Sequence, residues 1–172
     1  MGTHTHLLEY DGGVLVDEFS NAYLHDFANP LHRFNGEKPW ALCLASLPHG
    51  MDYAEVRATA AGLTTYLQAA GSSPETIMVE VRKPGGQQWG MQSVRYAIGH
   101  SNNDGATADV AVKLPVNTYM INQHEVFDAD ETAELFWAYY KTGEIPSSYT
   151  LRPIEGYTAD GAIVDLRDNT SA

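Results

Sequence analysis

Two histidines in an H-x-H pattern, His4 and His6, are the first side chains in this 172-residue chain with metal-binding chemistry. Residues two apart on a strand point the same way, which suits one edge of a zinc site. No second local group of ligands accompanies them, and His25, His32, His49, His100 and His124 are scattered through segments that read as loops or surface. A second candidate is the carboxylate pair Asp128 and Asp130, which has the composition for acid and base work. Asp128, however, stands where a helix needs a cap, and capping accounts for it. Cys43, the single cysteine, lies in the apolar run ALCLASL, where an inert thiol in a buried strand is expected rather than a nucleophile. H-E-x-x-H, C-x-x-C, a P-loop lysine and G-x-S-x-G are all missing from the sequence. The residues alone therefore point to no catalytic group, no cofactor and no metal.

The carboxylates are positioned by the strongest helix signal in the chain, within Glu125–Pro153, EVFDADETAELFWAYYKTGEIPSSYTLRP. Asp128 can accept a hydrogen bond from the first-turn N–H groups, and Glu131 is spaced to reach back to the N–H of Asp128 as a capping box. Asp130 and Glu131 place negative charge at the positive end of the helix dipole, and Lys141 places positive charge in the last turn. Gly143 supplies a left-handed stop, Ile145 folds back onto the last turn, and Pro146 prevents continuation. Thr132, Leu135, Phe136, Tyr139 and Tyr140 recur at helical spacing as one core-facing stripe, from which Trp137 points away. Packing accounts for those aromatics, and Trp137 alone is left as an exposed contact residue.

The end of this stretch resembles the first immunity-protein family of bacterial polymorphic toxin systems, the deaminase-toxin immunity proteins. The matching features are a helix ending in the pair Tyr139 and Tyr140, then Lys141, Thr142 and Gly143, then Pro146 and an extended segment with Leu151 and Arg152. Members of that family are non-enzymatic antidotes that bind a cognate toxin domain and block it. The resemblance thus implies binding without catalysis, with Asp128, Tyr140, Gly143, Pro146 and Arg152 as structural motif residues. Arg152, between Leu151 and Pro153, is expected to pair internally with a carboxylate or with carbonyl groups.

Composition agrees with a single domain over residues 1–172: 44% of residues are apolar and 19% charged. A net charge of −12 excludes the usual nucleic-acid binder, whose phosphate contacts need clustered lysine and arginine. No run of about 18 apolar residues occurs, so no membrane span and a cytoplasmic location are expected.

Along the chain, His6–Tyr10 reads as a first strand, and Asp17 as the cap of a helix with Phe19, Ala22, Tyr23 and Phe27 on one face, stopped by Asn29 and Pro30. Trp40–Leu47 reads as a central strand. Asp52 and Glu55 repeat the capping-box spacing, and Val56, Ala60, Leu63 and Leu67 extend it into a long helix ending near Ala70. Ile77–Arg82, the turn KPGGQQ and Trp89–Ile98 form a hairpin. Val110–Leu114 and Val116–Gln123 are further strands around Pro115, the region from Gly156 to Gly161 turns the chain towards Ile163–Leu166, and residues 167–172 fray. The expected fold is α+β: an antiparallel or mixed sheet with two to three helices in a single layer on it.

From Glu125 to Asp168 ten acidic residues face only Lys141, Arg152 and Arg167. The expectation is a negative lobe, with Asp104, Asp130, Glu134, Trp137 and Glu144 contacting the basic active-site cleft of a toxin, and a monomer or weak dimer when free. The alternative from another class is a small hydrolase or ligand-binding enzyme that gathers carboxylates and histidines in a cleft.

Overall fold

The Asp11–Gly12–Gly13 turn brings the first two strands together as a hairpin, because all three residues adopt positive φ. In the computed structural model, which describes residues 2–59, 62–101 and 108–168, strand β1 (His6–Tyr10) pairs antiparallel with β2 (Leu15–Phe19). Helix α1 (Leu24–Leu31) follows, then β3 (Ala41–Ser46), α2 (Tyr53–Ala58), β4 (Tyr66–Ser73), β5 (Thr76–Pro84) and β6 (Ser93–His100). The chain continues through β7 (Ala108–Lys113), β8 (Thr118–Asn122), α3 (Ala129–Thr142), β9 (Tyr149–Tyr157) and β10 (Ile163–Asp165). Eight strands form one sheet in the order β10-β9-β6-β5-β4-β3-β1-β2, antiparallel at every step. Strands β7 and β8 form a separate hairpin, closed where the Leu114 N–H donates to Asn117 O. The fold is α+β, as the sequence pattern implies.

Period-two alternation sends Leu42, Leu44, Leu67, Ile77 and Val79 to one face of the sheet, where all are buried. Helices α1 and α3 cover that face, with Phe27 and Phe136 in the seam at a ring separation of 5.9 Å. Full burial of each such ring is worth about 1.5–3 kcal/mol. The opposite face is covered only in part. Helix α2 packs Val56 on Leu7 and Ala45, and the β7–β8 hairpin packs Val112 and Ile121 on Met78, whereas Leu166 packs on Met91 and Val94 on the side of Tyr96, at the far end of the helix-covered face. Helix α2 therefore departs from the expected single layer.

Helix α3 begins and ends where its caps place it. Asp128 Oδ1 accepts from the Glu131 N–H at 2.8 Å, and Gly143, at φ 72°, donates its N–H to Tyr139 O at 2.7 Å. Thr132, Leu135, Phe136 and Tyr139 are buried and Tyr140 half-buried, as their spacing implies. Asp128→Ala is expected to cost about 1 kcal/mol in urea unfolding. A loss under a few tenths would show that the capping bond adds nothing.

Three sequence expectations give way to tertiary packing. The helix projected from Asp52 to Ala70 stops at Ala58. Its capping box forms, with Glu55 N–H on Asp52 and Asp52 N–H on Glu55, but Thr59 is extended, Gly62 is left-handed, and β4 then alternates Leu67 and Ala69 inward against Gln68 outward. A two-residue period was read as part of a helical one. The helix expected from Asp17 is replaced by strand β2, and α1 starts after Tyr23, which is 64% exposed rather than in the core. Pro30 sits inside its last turn, one residue before the helix ends. Finally, Trp89 belongs to a short 3₁₀ turn, Gln87–Trp89, so β6 starts only at Ser93.

His6 lies against Phe19 and Tyr140, with ring separations of 5.8 and 4.7 Å, and burial lowers its pKa. The folded state thus favours the neutral ring, so the unfolded chain takes up the proton more readily as pH falls through the ordinary histidine value of 6.5. This stability is complete above that pH and lost below it. His6→Phe is expected to flatten the decline of the unfolding midpoint between about pH 7 and 5. Parallel curves for the two proteins would contradict this.

Candidate binding surfaces

Along α3, residues 130, 134, 137 and 141 follow the three- and four-residue steps that share one helix face. The structure places Asp130, Glu134 and Trp137 there together, with Lys141 in the last turn. The Asp130 carboxylate is 83% exposed and meets His32 Nε2 at 2.7 Å, while Glu134 is exposed. Trp137 is not free-standing as expected. It is half-buried, stacked on Tyr140 at 5.7 Å, and capped by Lys141 Nζ at 4.8 Å from the ring centre. Tyr140 in turn donates to Ser20 O at 3.0 Å, so the stack is anchored to the segment between β2 and α1. Glu144 is exposed just beyond Gly143, as is Pro146, whose carbonyl accepts the Tyr149 N–H. Asp104 lies outside the described residues.

The acidic lobe divides. Glu125 is 2% exposed and receives both Arg152 Nε and Nη2, at 2.8 and 2.9 Å, which makes Arg152 the internal structural residue anticipated for it. Glu131 does not close the expected capping box. Its carboxylate takes His100 Nε2 at 2.9 Å and the Tyr149 hydroxyl at 3.0 Å, because the end of β6 and the start of β9 lie beneath the first turn of α3. Burial first, then the bond to Glu131, pushes the Tyr149 phenol up to about 12, so it stays a donor. Glu155, like the Glu125–Arg152 pair, lies on the side of the sheet away from α3, where Arg95 reaches it. Sequence charge counting missed this division because Glu131 leaves from α3 whereas Glu155 leaves from β9, and charge along the chain does not say which face of the sheet a side chain reaches.

That other face carries the arrangement that sequence reasoning did not find. Glu80 Oε2 accepts from Gln68 Nε2 at 2.6 Å and from Arg95 Nη1 at 3.0 Å, and Arg95 Nη2 donates to Glu155 at 2.8 Å. Tyr157 donates to the same Glu155 oxygen at 2.7 Å, and Arg82 lies 3.5 Å over the Tyr157 ring while bonding Ser93. Burial lowers the Arg95 pKa and the two carboxylates more than reverse this, so it stays charged. Arg95 Nε is buried without a partner. Between α2 and the β7–β8 hairpin, Gln68, Glu80 and Arg95 of this row floor an open cavity of about 570 Å³. The cavity is walled by Trp40, Tyr53, Tyr66 and Tyr119, with Glu9 and Cys43 beside the floor. Burial, with Glu9 nearby, pushes the Cys43 thiol up, away from the nucleophilic thiolate. A second cavity of about 460 Å³, beyond the hairpin, shares Glu80 and Arg95 and reaches Arg152.

No protein-family model, curated protein or solved structure matches this chain. Its chemistry must be read from its own side chains.

The histidines are dispersed. His25 stacks on Tyr23, His32 meets Asp130, His100 meets Glu131, and His124 lies against Gly99, while among the described residues neither cavity has a histidine in its wall. Among the described residues, no three His, Cys, Asp or Glu side chains converge as a metal site, and no helix is long and apolar enough to cross a membrane. The open-face row did leave one trace in the sequence. Glu80 and Arg82 alternate with Val79 and Val81 in β5, a charged phase within an otherwise apolar strand.

Proposed function

We propose that this chain is a cytoplasmic immunity protein, without cofactor, that binds a cognate bacterial toxin domain and occludes its basic active-site cleft. A deaminase is the first class of toxin to consider, from the resemblance of residues 125–153, and the free protein is taken as a monomer or weak dimer. The observation that carries the reading is the outward row Asp130, Glu134 and Trp137 on α3: two exposed carboxylates beside an aromatic held in place by Tyr140 and Lys141. Exposed carboxylates steer a basic partner and raise the encounter rate, whereas a preorganised aromatic that becomes buried slows release. A rigid stack also has little side-chain freedom left to lose on binding.

The test begins with capture of the partner from the source organism on immobilised protein, followed by assay of the captured domain's activity with and without it. Stoichiometric inhibition is expected. Stopped-flow association from about 0.01 to 1 M salt, over which the Debye length shrinks from about 30 to 3 Å, should then slow by at least about tenfold. A flat rate would remove the steering role of α3, and a captured domain that stays active would remove the antidote reading.

A further inference from the structure

We propose that the cavity between α2 and the β7–β8 hairpin is a binding site for an organic cation of the alkylguanidinium or alkylammonium class. This does not depend on the proposed toxin partner. At about 570 Å³ it falls within the ~300–1,000 Å³ typical of small-ligand sites. Two features set its chemistry.

Its walls are aromatic. Trp40 stands at the β1–β2 turn, where its Cζ2 lies 3.9 Å from the position a Cβ on Gly12 would take, and the Tyr53 hydroxyl stands equally close to Gly13. Tyr66 and Tyr119 complete the walls. Burial raises the pKa of both Tyr53 and Tyr66, so these rings stay neutral and keep the electron-rich faces that attract a cation.

Its open floor offers acceptors rather than donors, since Arg95 Nε, although unpartnered among the described residues, is sealed from solvent. Gln68 Nε2 and Arg95 Nη1 both donate to Glu80 Oε2, Arg95 Nη2 donates to Glu155, and Glu80 Oε1 takes no donor from the described residues. Glu9 makes no salt bridge among the described residues, and the neutral Tyr53 hydroxyl donates to it. The two positive residues of the lining do not reverse this balance. Arg95 is held by Glu80 and Glu155 together, and Arg57 is exposed at the mouth, 5.8 Å over the Tyr53 ring. An anion would meet occupied arginines and free carboxylate oxygens, whereas a cation meets unfilled acceptors between aromatic faces. Val116, 77% exposed at the rim, offers contact to an aliphatic stem.

The test is a titration of the ¹⁵N-labelled protein with agmatine, choline and n-pentanol, the last as the uncharged control. Saturable shifts centred on Gln68, Glu80 and the Trp40 indole N–H are expected with agmatine or choline and not with pentanol. Glu9→Gln and Trp40→Leu should each weaken binding by about fivefold or more, with the rest of the spectrum unchanged. Those two variants leave the Glu80–Arg95 pairing intact and so separate binding from folding. A blocked Gly-Arg-Gly peptide distinguishes the source of the cation. Binding of agmatine but not of the peptide marks a free ligand, and binding of the peptide marks an arginine presented by another chain. No saturable shift with any cation, equal response to pentanol, or shifts unaltered by Glu9→Gln would overturn the proposal.

Discussion

Arg152→Ala is expected to destabilise the fold by about 3–5 kcal/mol, the largest effect of any single charged residue described above. The cause is the carboxylate left behind. Glu125 is 2% exposed, both its oxygens accept from Arg152, and Oε1 also takes the Asn122 N–H at 3.1 Å. Without the guanidinium, a buried charge is left with one backbone donor, the Asn122 N–H. For a chain of this size each kcal/mol moves the melting temperature by about 2–4 °C, so a fall of roughly 10 °C is expected. Arg167→Ala is the control, since its pair with Asp165 is more than half exposed on both sides and should contribute at most about 1 kcal/mol. The double variant Arg152→Met with Glu125→Leu should recover most of the loss, because an apolar pair carries no stranded charge. A melting temperature for Arg152→Ala within about 2 °C of the parent protein would refute the structural role of this pair.

The double reversal Asp130→Lys with Glu134→Lys is expected to weaken the proposed toxin complex by about 100-fold, mostly through slower association. Both side chains are exposed, so the fold should be retained, and the partner displaced among the described residues is His32 at the Asp130 carboxylate. Two carboxylates that attract a basic cleft become two ammonium groups that repel it. The difference between parent and variant should shrink as salt rises. Trp137→Ala acts on the other rate constant. Removing the ring from its seat between Tyr140 and Lys141 should speed dissociation while leaving association near its original value. An unchanged affinity after the double reversal would place the contact surface away from α3.

Local signals set the ends of α3, because an aspartate cap and a left-handed glycine act on backbone groups within one turn of themselves. The same kind of signal went wrong at Asp52. Its capping box is real, but a cap starts a helix without determining its length, and Leu67 belongs to the alternation of β4. Tyr23 and Phe19 likewise share one face at helical spacing, yet pairing with β1 takes Phe19 into a strand and Tyr23 is exposed.

Composition and short-range spacing were enough to determine the α+β class, the acidic character, the caps and the buried stripe of α3, since each depends on residues a few positions apart. Which side chains meet was decided only by the sheet. Glu125 finds Arg152 across 27 positions, Glu131 finds His100 across 31, and Arg95 finds Glu155 across 60. The strand order that joins β4, β5, β6 and β9 on one open face has no counterpart in local spacing, because pairing between distant strands follows from burying the opposite, apolar face against α1 and α3. The outward row on α3 could thus be read directly along the chain, whereas the cavity on the other side exists only once the strands are laid side by side.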